Sequence, residues 1–218
     1  MASAEQEDGS SSPRDDLAVS SVAKRGAGRG RVTVRLSDGS SFSLLEEVQR
    51  EAGIFRDQEI SRKLMESLQK TSEDRCARRK ALALLSRAPQ TREGLRLKLR
   101  QRGFPEDSID LALARMDELG YLNDRKYAED WIQIRLQRHP EGRWRLLAGL
   151  RRQGVPRRTA QEVISRVFDE ETELRAARRA MDKLMRTKSL PDPKAAARLS
   201  SLGFTRSAVR QTLNQPPD

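Results

Sequence analysis

The chain repeats itself. Leu99-Arg-Gln-Arg-Gly103-Phe104, Leu150-Arg-Arg-Gln-Gly154-Val155 and Leu199-Ser-Ser-Leu-Gly203-Phe204 share the pattern Leu-x-x-x-Gly-[Phe/Val], with glycines 51 and 49 residues apart. Leu95, Leu146 and Ala195 precede it in one register. Ile109, Ala160 and Val209, then Leu113, Ile164 and Leu213, follow it. Ala77, Ala128 and Ala177 align upstream, as do Leu85, Leu136 and Met185. A period of about 50 residues marks a tandem array of one supersecondary unit. Such units are stabilised by stacking on their neighbours, and arrays of them serve to bind along an extended partner.

Each repeat reads as three short helices. In the first, spanning 73–122, Ala77, Ala81, Leu82 and Leu85 recur at three- and four-residue spacing and mark one buried face over about 73–87. Pro89 breaks the helix and Thr91 is placed to cap the next. Leu95 and Leu99 form the apolar stripe of that second helix, which Gly103 closes. Pro105 opens a third helix with Ile109, Leu113 and Met116 inward, stopping at Gly120. The second repeat, 123–170, follows the same plan, with Tyr127, Ala128, Trp131, Ile132 and Leu136 inward on its first helix. The third, 171–215, is degenerate: a good first helix, a break at Ser189-Leu-Pro-Asp-Pro193, then short helices over 195–202 and 205–213.

Residues 1–30 are rich in Ser, Gly and charge, without apolar periodicity, and are expected to be a disordered tail. Residues 31–72 differ. Strand-forming residues flank Asp38-Gly39 over 32–44, a β-hairpin signal, and amphipathic helices are expected over 45–52 and 57–69. The expected fold is mainly α: an elongated tandem array of three three-helix repeats behind a small N-terminal β-hairpin and helix cap.

Formal net charge is +11, which favours an anionic partner. Cys76 is the single cysteine, so no internal disulfide framework exists. His139 is the single histidine, beside a proline in a helix break. No Walker-type phosphate loop, zinc-ligand spacing or paired nucleophile and base occurs. No enzyme and no cofactor is expected, nor any membrane contact; the composition suits a cytoplasmic monomer.

The cations are organised. On helix two of the first repeat Arg92, Arg96 and Arg100 form one stripe; the aligned second-repeat residues are Arg143, Leu147 and Arg151. Helix three opens with Glu106 and Asp107 in the first repeat but with Arg157 and Arg158 in the second. Cations there oppose the helix dipole, a cost that an anionic ligand would offset. Trp144 lies between Arg143 and Arg145, off the leucine stripe, and suits base stacking or a partner pocket. Tyr127 and Trp131, four apart, suit the core. A basic stripe is also what a solvated helix face looks like.

Gly120-Tyr121-Leu122-Asn123-Asp124-Arg125-Lys126-Tyr127-Ala128 resembles the junction Gly-Tyr-[Leu/Ile]-[Asp/Asn]-Asp-x-x-[Phe/Tyr]-Ala of the RecX regulatory proteins of bacteria. Gly142-Arg143 before a leucine-bearing helix, and Leu150-x-x-x-Gly154-Val155, fit too. The resemblance covers about 73–215. It implies an all-helical array that binds RecA filaments on single-stranded DNA, with the DNA touched directly or only through RecA. It also implies restraint of ATP hydrolysis, strand exchange and co-cleavage of the SOS repressor. Arg92, Arg96, Arg100, Arg143, Trp144, Arg145, Arg151, Arg157 and Arg158 are then the candidate contacts. The alternative is a stand-alone DNA-binding protein of helix-turn-helix-like repeats, although 108–115 offers few base-reading side chains.

Overall fold

The computed structural model describes residues 16–24, 30–187 and 192–214. Two compact units divide the chain, residues 1–77 and 78–218.

The N-terminal unit is built on a four-stranded antiparallel sheet of order β3-β2-β1-β4. Its strands are β1 (Asp16–Lys24), β2 (Arg31–Leu36), β3 (Ser41–Leu45) and β4 (Glu59–Ser61), with α1 (Glu46–Glu51) between β3 and β4. The expected hairpin is β2–β3, with Val34 opposite Phe42. Asp38 Oδ1 accepts from the Ser40 amide at 2.9 Å and shapes the turn. Val32, Val34, Leu36, Phe42 and Leu44 are buried with Val48, Ile54 and Ile60, as period-two alternation requires.

Two expectations need correction here. The tail over 1–30 is not wholly disordered: residues 16–24 form β1, which pairs with both β2 and β4. Its alternation is hidden in the sequence because the register shifts between Val19 and Ser21, so the period of two breaks inside the strand. The remainder of that stretch, 1–15 and 25–29, lies outside the described residues. The helix expected over 57–69 is instead β4 followed by α2 (Arg62–Leu85), one helix that runs through the expected boundary at 72/73. Lys70-Thr71-Ser72 contains no breaker, and the Ser72 hydroxyl accepts from the Leu45 amide at 2.9 Å.

The second unit is helical. After α2 come α3 (Arg92–Arg100) and α4 (Glu106–Glu118). Then α5 (Asp124–Arg138), α6 (Arg143–Arg152) and α7 (Arg157–Val167) form the second repeat. The third is α8 (Glu170–Thr187), α9 (Asp192–Ser201) and α10 (Arg206–Leu213). The aligned columns are its core. Leu95, Leu146, Ala195, Leu99, Leu150 and Leu199 are fully buried, as are Ala128 and Ala177; Ala77, the last residue of the first unit, is fully buried too. Met185 breaks its column at 41% exposure. Residues 188–191, most of the predicted third-repeat break, lie outside the described residues.

Candidate interaction surfaces

The second and third repeats dock by one device. The turn after helix two supplies acceptor carbonyls, and the N-terminus of helix two in the preceding repeat, its receiver, supplies the donors. At the first junction the Thr91 hydroxyl donates to the Gln153 carbonyl at 2.6 Å while accepting from the Gly94 amide, so it caps α3 and ties the repeats together. At the second, the Gly142 amide donates to the Leu202 carbonyl at 2.9 Å and the Trp144 amide to the Gly203 carbonyl at 3.0 Å. Gln153 and Leu202 are register equivalents, as are Thr91 and Gly142. The repeated glycine therefore does more than close a helix. A Cβ on Gly154 would stand 2.9 Å from Glu93 Cβ, and one on Gly203 would stand 2.5 Å from the Arg145 nitrogen.

A carboxylate completes each junction. Asp124, opening α5, accepts from the Arg92 amide at 2.8 Å. Its register equivalent Glu173 on α8 accepts from the Arg143 amide at 3.3 Å and the Thr205 amide at 3.0 Å. Burial pushes the Asp124 carboxyl above its ordinary value, against the pull of the Arg92 amide. Sequence reading met Asp124 only as a position of the junction motif and passed over Glu173, although the 49-residue register that aligns the glycines aligns the two carboxylates.

These junctions decide what the candidate cations can do. Arg92 is ion-paired to Asp117. Arg96 meets Asp110 at 2.5 Å and Glu106 at 3.2 Å, and Arg100 meets Glu106 at 2.5 Å. Arg100, with Arg96 behind it, holds the Glu106 carboxyl below its ordinary value. The first-repeat stripe is thus an internal ion-pair network between α3 and α4. Arg143 turns inward to Glu173 and to the Phe168 carbonyl, 2.7 Å away. Arg145 pairs with the buried Glu141 at 3.4 Å, and Arg158 with Glu162 at 2.9 Å.

Arg151 and Arg157 remain, exposed and without a partner among the described residues. Arg152, which sequence reading missed, joins them. Its signal was its place in the last turn of α6 beside Arg151. These cations flank the α6–α7 turn, one pair side closing a helix and the other opening the next. Glu162 is the acidic side chain paired to the group, through Arg158.

The aromatic cluster divides. Tyr127 and Trp131 pack against the core, as expected, and the Arg135 guanidinium lies 5.7 Å from the Trp131 ring centre. Trp144 is 60% exposed on the first turn of α6, and Tyr121 is 56% exposed. Tyr121 borders a groove of about 560 Å³ with Leu82, Leu85, Pro89 and Tyr127. No helix among the described residues is long and apolar enough to cross a membrane.

Comparison with known proteins agrees with this architecture. Residues 77–116 match the first three-helix domain of RecX and residues 123–164 the second. Regulatory protein RecX of Prosthecochloris aestuarii is 32% identical over 145 residues, spanning 66% of this chain and 95% of that protein. Regulatory protein RecX of Chlorobaculum tepidum is 35% identical over 137 residues, spanning 61% and 83%. A crystal structure of regulatory protein RecX superimposes with a TM-score of 0.68 at 19% identity, covering 91% of this chain and all of that one. RecX from Lactobacillus salivarius gives 0.61 at 20% identity, over 66% and 96%. The two structures share the fold; the sequence relatives, covered over 95% and 83% of their own lengths, go further. The chain belongs to the RecX family of regulatory proteins.

Proposed function

We propose that this chain is a non-catalytic modulator of the RecA recombinase. It binds RecA filaments on single-stranded DNA and limits their ATP hydrolysis, strand exchange and SOS co-protease activity. It acts as a cytoplasmic monomer. Membership of the RecX family motivates the partner. The observation that supports the mode of contact is the exposed set Arg151, Arg152 and Arg157, without side-chain partners among the described residues, with Trp144 presented on the helix that carries Arg151 and Arg152. Cations without internal partners keep their full attraction for an anionic surface, and an exposed indole can stack on a base or enter a pocket. Restraint follows from binding across several protomers at once, since a bridged filament turns over more slowly.

The test is the single-stranded-DNA-dependent ATPase of the host RecA, with and without this chain. A fall in rate at or below one chain per protomer is expected. An unchanged rate, with DNA bound equally well in the absence of RecA, would instead establish the stand-alone DNA-binding protein.

A further inference from the structure

The turn after helix two occurs once in each repeat, closed by the same glycine geometry that ends helices at Gly53 and Gly120; what sets it apart is its place in the repeat. Gly103, Gly154 and Gly203 have φ of 79°, 85° and 86°. Each glycine amide donates three residues back, to Arg100, Arg151 or Ser200. The following amide donates to the Leu99, Leu150 or Leu199 carbonyl. Two of these turns are seated on the preceding repeat. The third, residues 101–104, meets open space: nothing stands within 4 Å of where a Cβ on Gly103 would be. Gln101, Arg102 and Gly103 are exposed, whereas Gly203 is buried.

The seated copies define what such a turn fits. Each meets the N-terminus of a helix whose capping position supplies a donor, a hydroxyl from Thr91 or an amide from Gly142. The match is electrostatic as well as steric. A helix C-terminus carries unsatisfied carbonyls and partial negative charge; a helix N-terminus carries unsatisfied amides and partial positive charge.

A second copy of this chain has no free helix-two N-terminus of this kind to offer. The Thr91 and Gly142 receivers are occupied by its own repeats. In the third repeat the residue equivalent to Thr91 and Gly142 is Pro191, and the equivalent of Trp144 is Pro193. Proline has neither a hydroxyl nor an N–H. Pro191 lies outside the described residues.

We propose that the turn at residues 101–104 is a docking surface for the N-terminal end of an α-helix on another protein. This rests on the function proposed above, under which that protein is RecA.

The test uses the full chain and its Gly103→Asn variant. Asparagine enters the left-handed region more readily than other residues with a side chain, so the turn survives while its docking face is blocked. Binding to RecA filaments on single-stranded DNA, thermal melting and sedimentation are measured for both. The expected result is an unchanged melting temperature, monomers in both cases and at least tenfold weaker filament binding by the variant. Equal binding by both proteins overturns this inference and leaves the proposed function standing. Oligomers of the wild type that the substitution abolishes overturn it in favour of a second copy. A wild type that binds no filament overturns both.

Discussion

The Glu173 carboxylate accepts a hydrogen bond from the Arg143 amide at 3.3 Å, and that contact fastens the third repeat to the second. The same carboxylate accepts from the Thr205 amide and pairs with the Arg143 guanidinium, while only 2% exposed. Removing one partner of a buried ion pair strands the other, at roughly 3–5 kcal/mol. Glu173→Ala is therefore expected to lower stability by about 3 kcal/mol, and Glu173→Gln, which keeps an acceptor, by less. Denaturant unfolding of the two variants checks the order.

Asp124 makes the equivalent contact at the first junction but is raised by burial, with the Arg92 amide and charge opposing. A carboxyl raised in the fold contributes stability that is full below its unfolded value and is lost as pH rises through the folded one. At pH 7 the buried charge is thus a cost. Asp124→Asn, which keeps the acceptor without the charge, should be at least as stable as the wild type at pH 7. Asp124→Ala, which leaves the Arg92 amide unmet, should lose about 1 kcal/mol. The advantage of Asn over Asp should shrink as pH falls through the carboxyl's raised value towards its ordinary one. Melting curves across pH 4–8 measure this.

Gly149 lies under the Trp131 ring, and a Cβ there would stand 2.3 Å from the indole. The ring is held by the core on one side and Arg135 on the other, so it must be displaced. Gly149→Ala should cost about 1–3 kcal/mol, the range for overpacking. It should also shift Trp131 fluorescence towards longer wavelength, read in a Trp144→Phe background.

Charge reversal should separate the two sets of arginines. Reversing Arg151, Arg152 and Arg157 is expected to leave melting within about 0.5 kcal/mol per site. It should weaken filament binding steeply and flatten its salt dependence. Reversing Arg96 and Arg100 should instead lower the melting temperature, because it places acids against Glu106 and Asp110. Equal loss of binding from both sets would mean that only net charge matters.

Much of the fold was legible in the chain because repetition multiplies a weak signal. One Leu-x-x-x-Gly is unremarkable; three in register, with buried columns on both sides, set the order of the nine helices α2–α10 among the described residues. Asp38-Gly39 marked its hairpin for an equally local reason, since a tight turn depends on its own residues. Strand β1 escaped because its register shift erases the alternation a reader looks for, and the break expected near residue 72 was absent because nothing there stops a helix.

The candidate site was legible only as a set of cations. Sequence determined that arginines recur on the second helix of the first two repeats, since periodicity places residues on faces. It could not determine which of them are spent. Arg96 and Arg100 are neutralised by acids on the neighbouring helix, and Arg143 by Glu173, thirty positions away. Pairing of that kind is fixed by how helices pack, and only the tertiary structure decided that, of the candidate cations, Arg151 and Arg157, with Arg152 beside them, are left unpaired among the described residues.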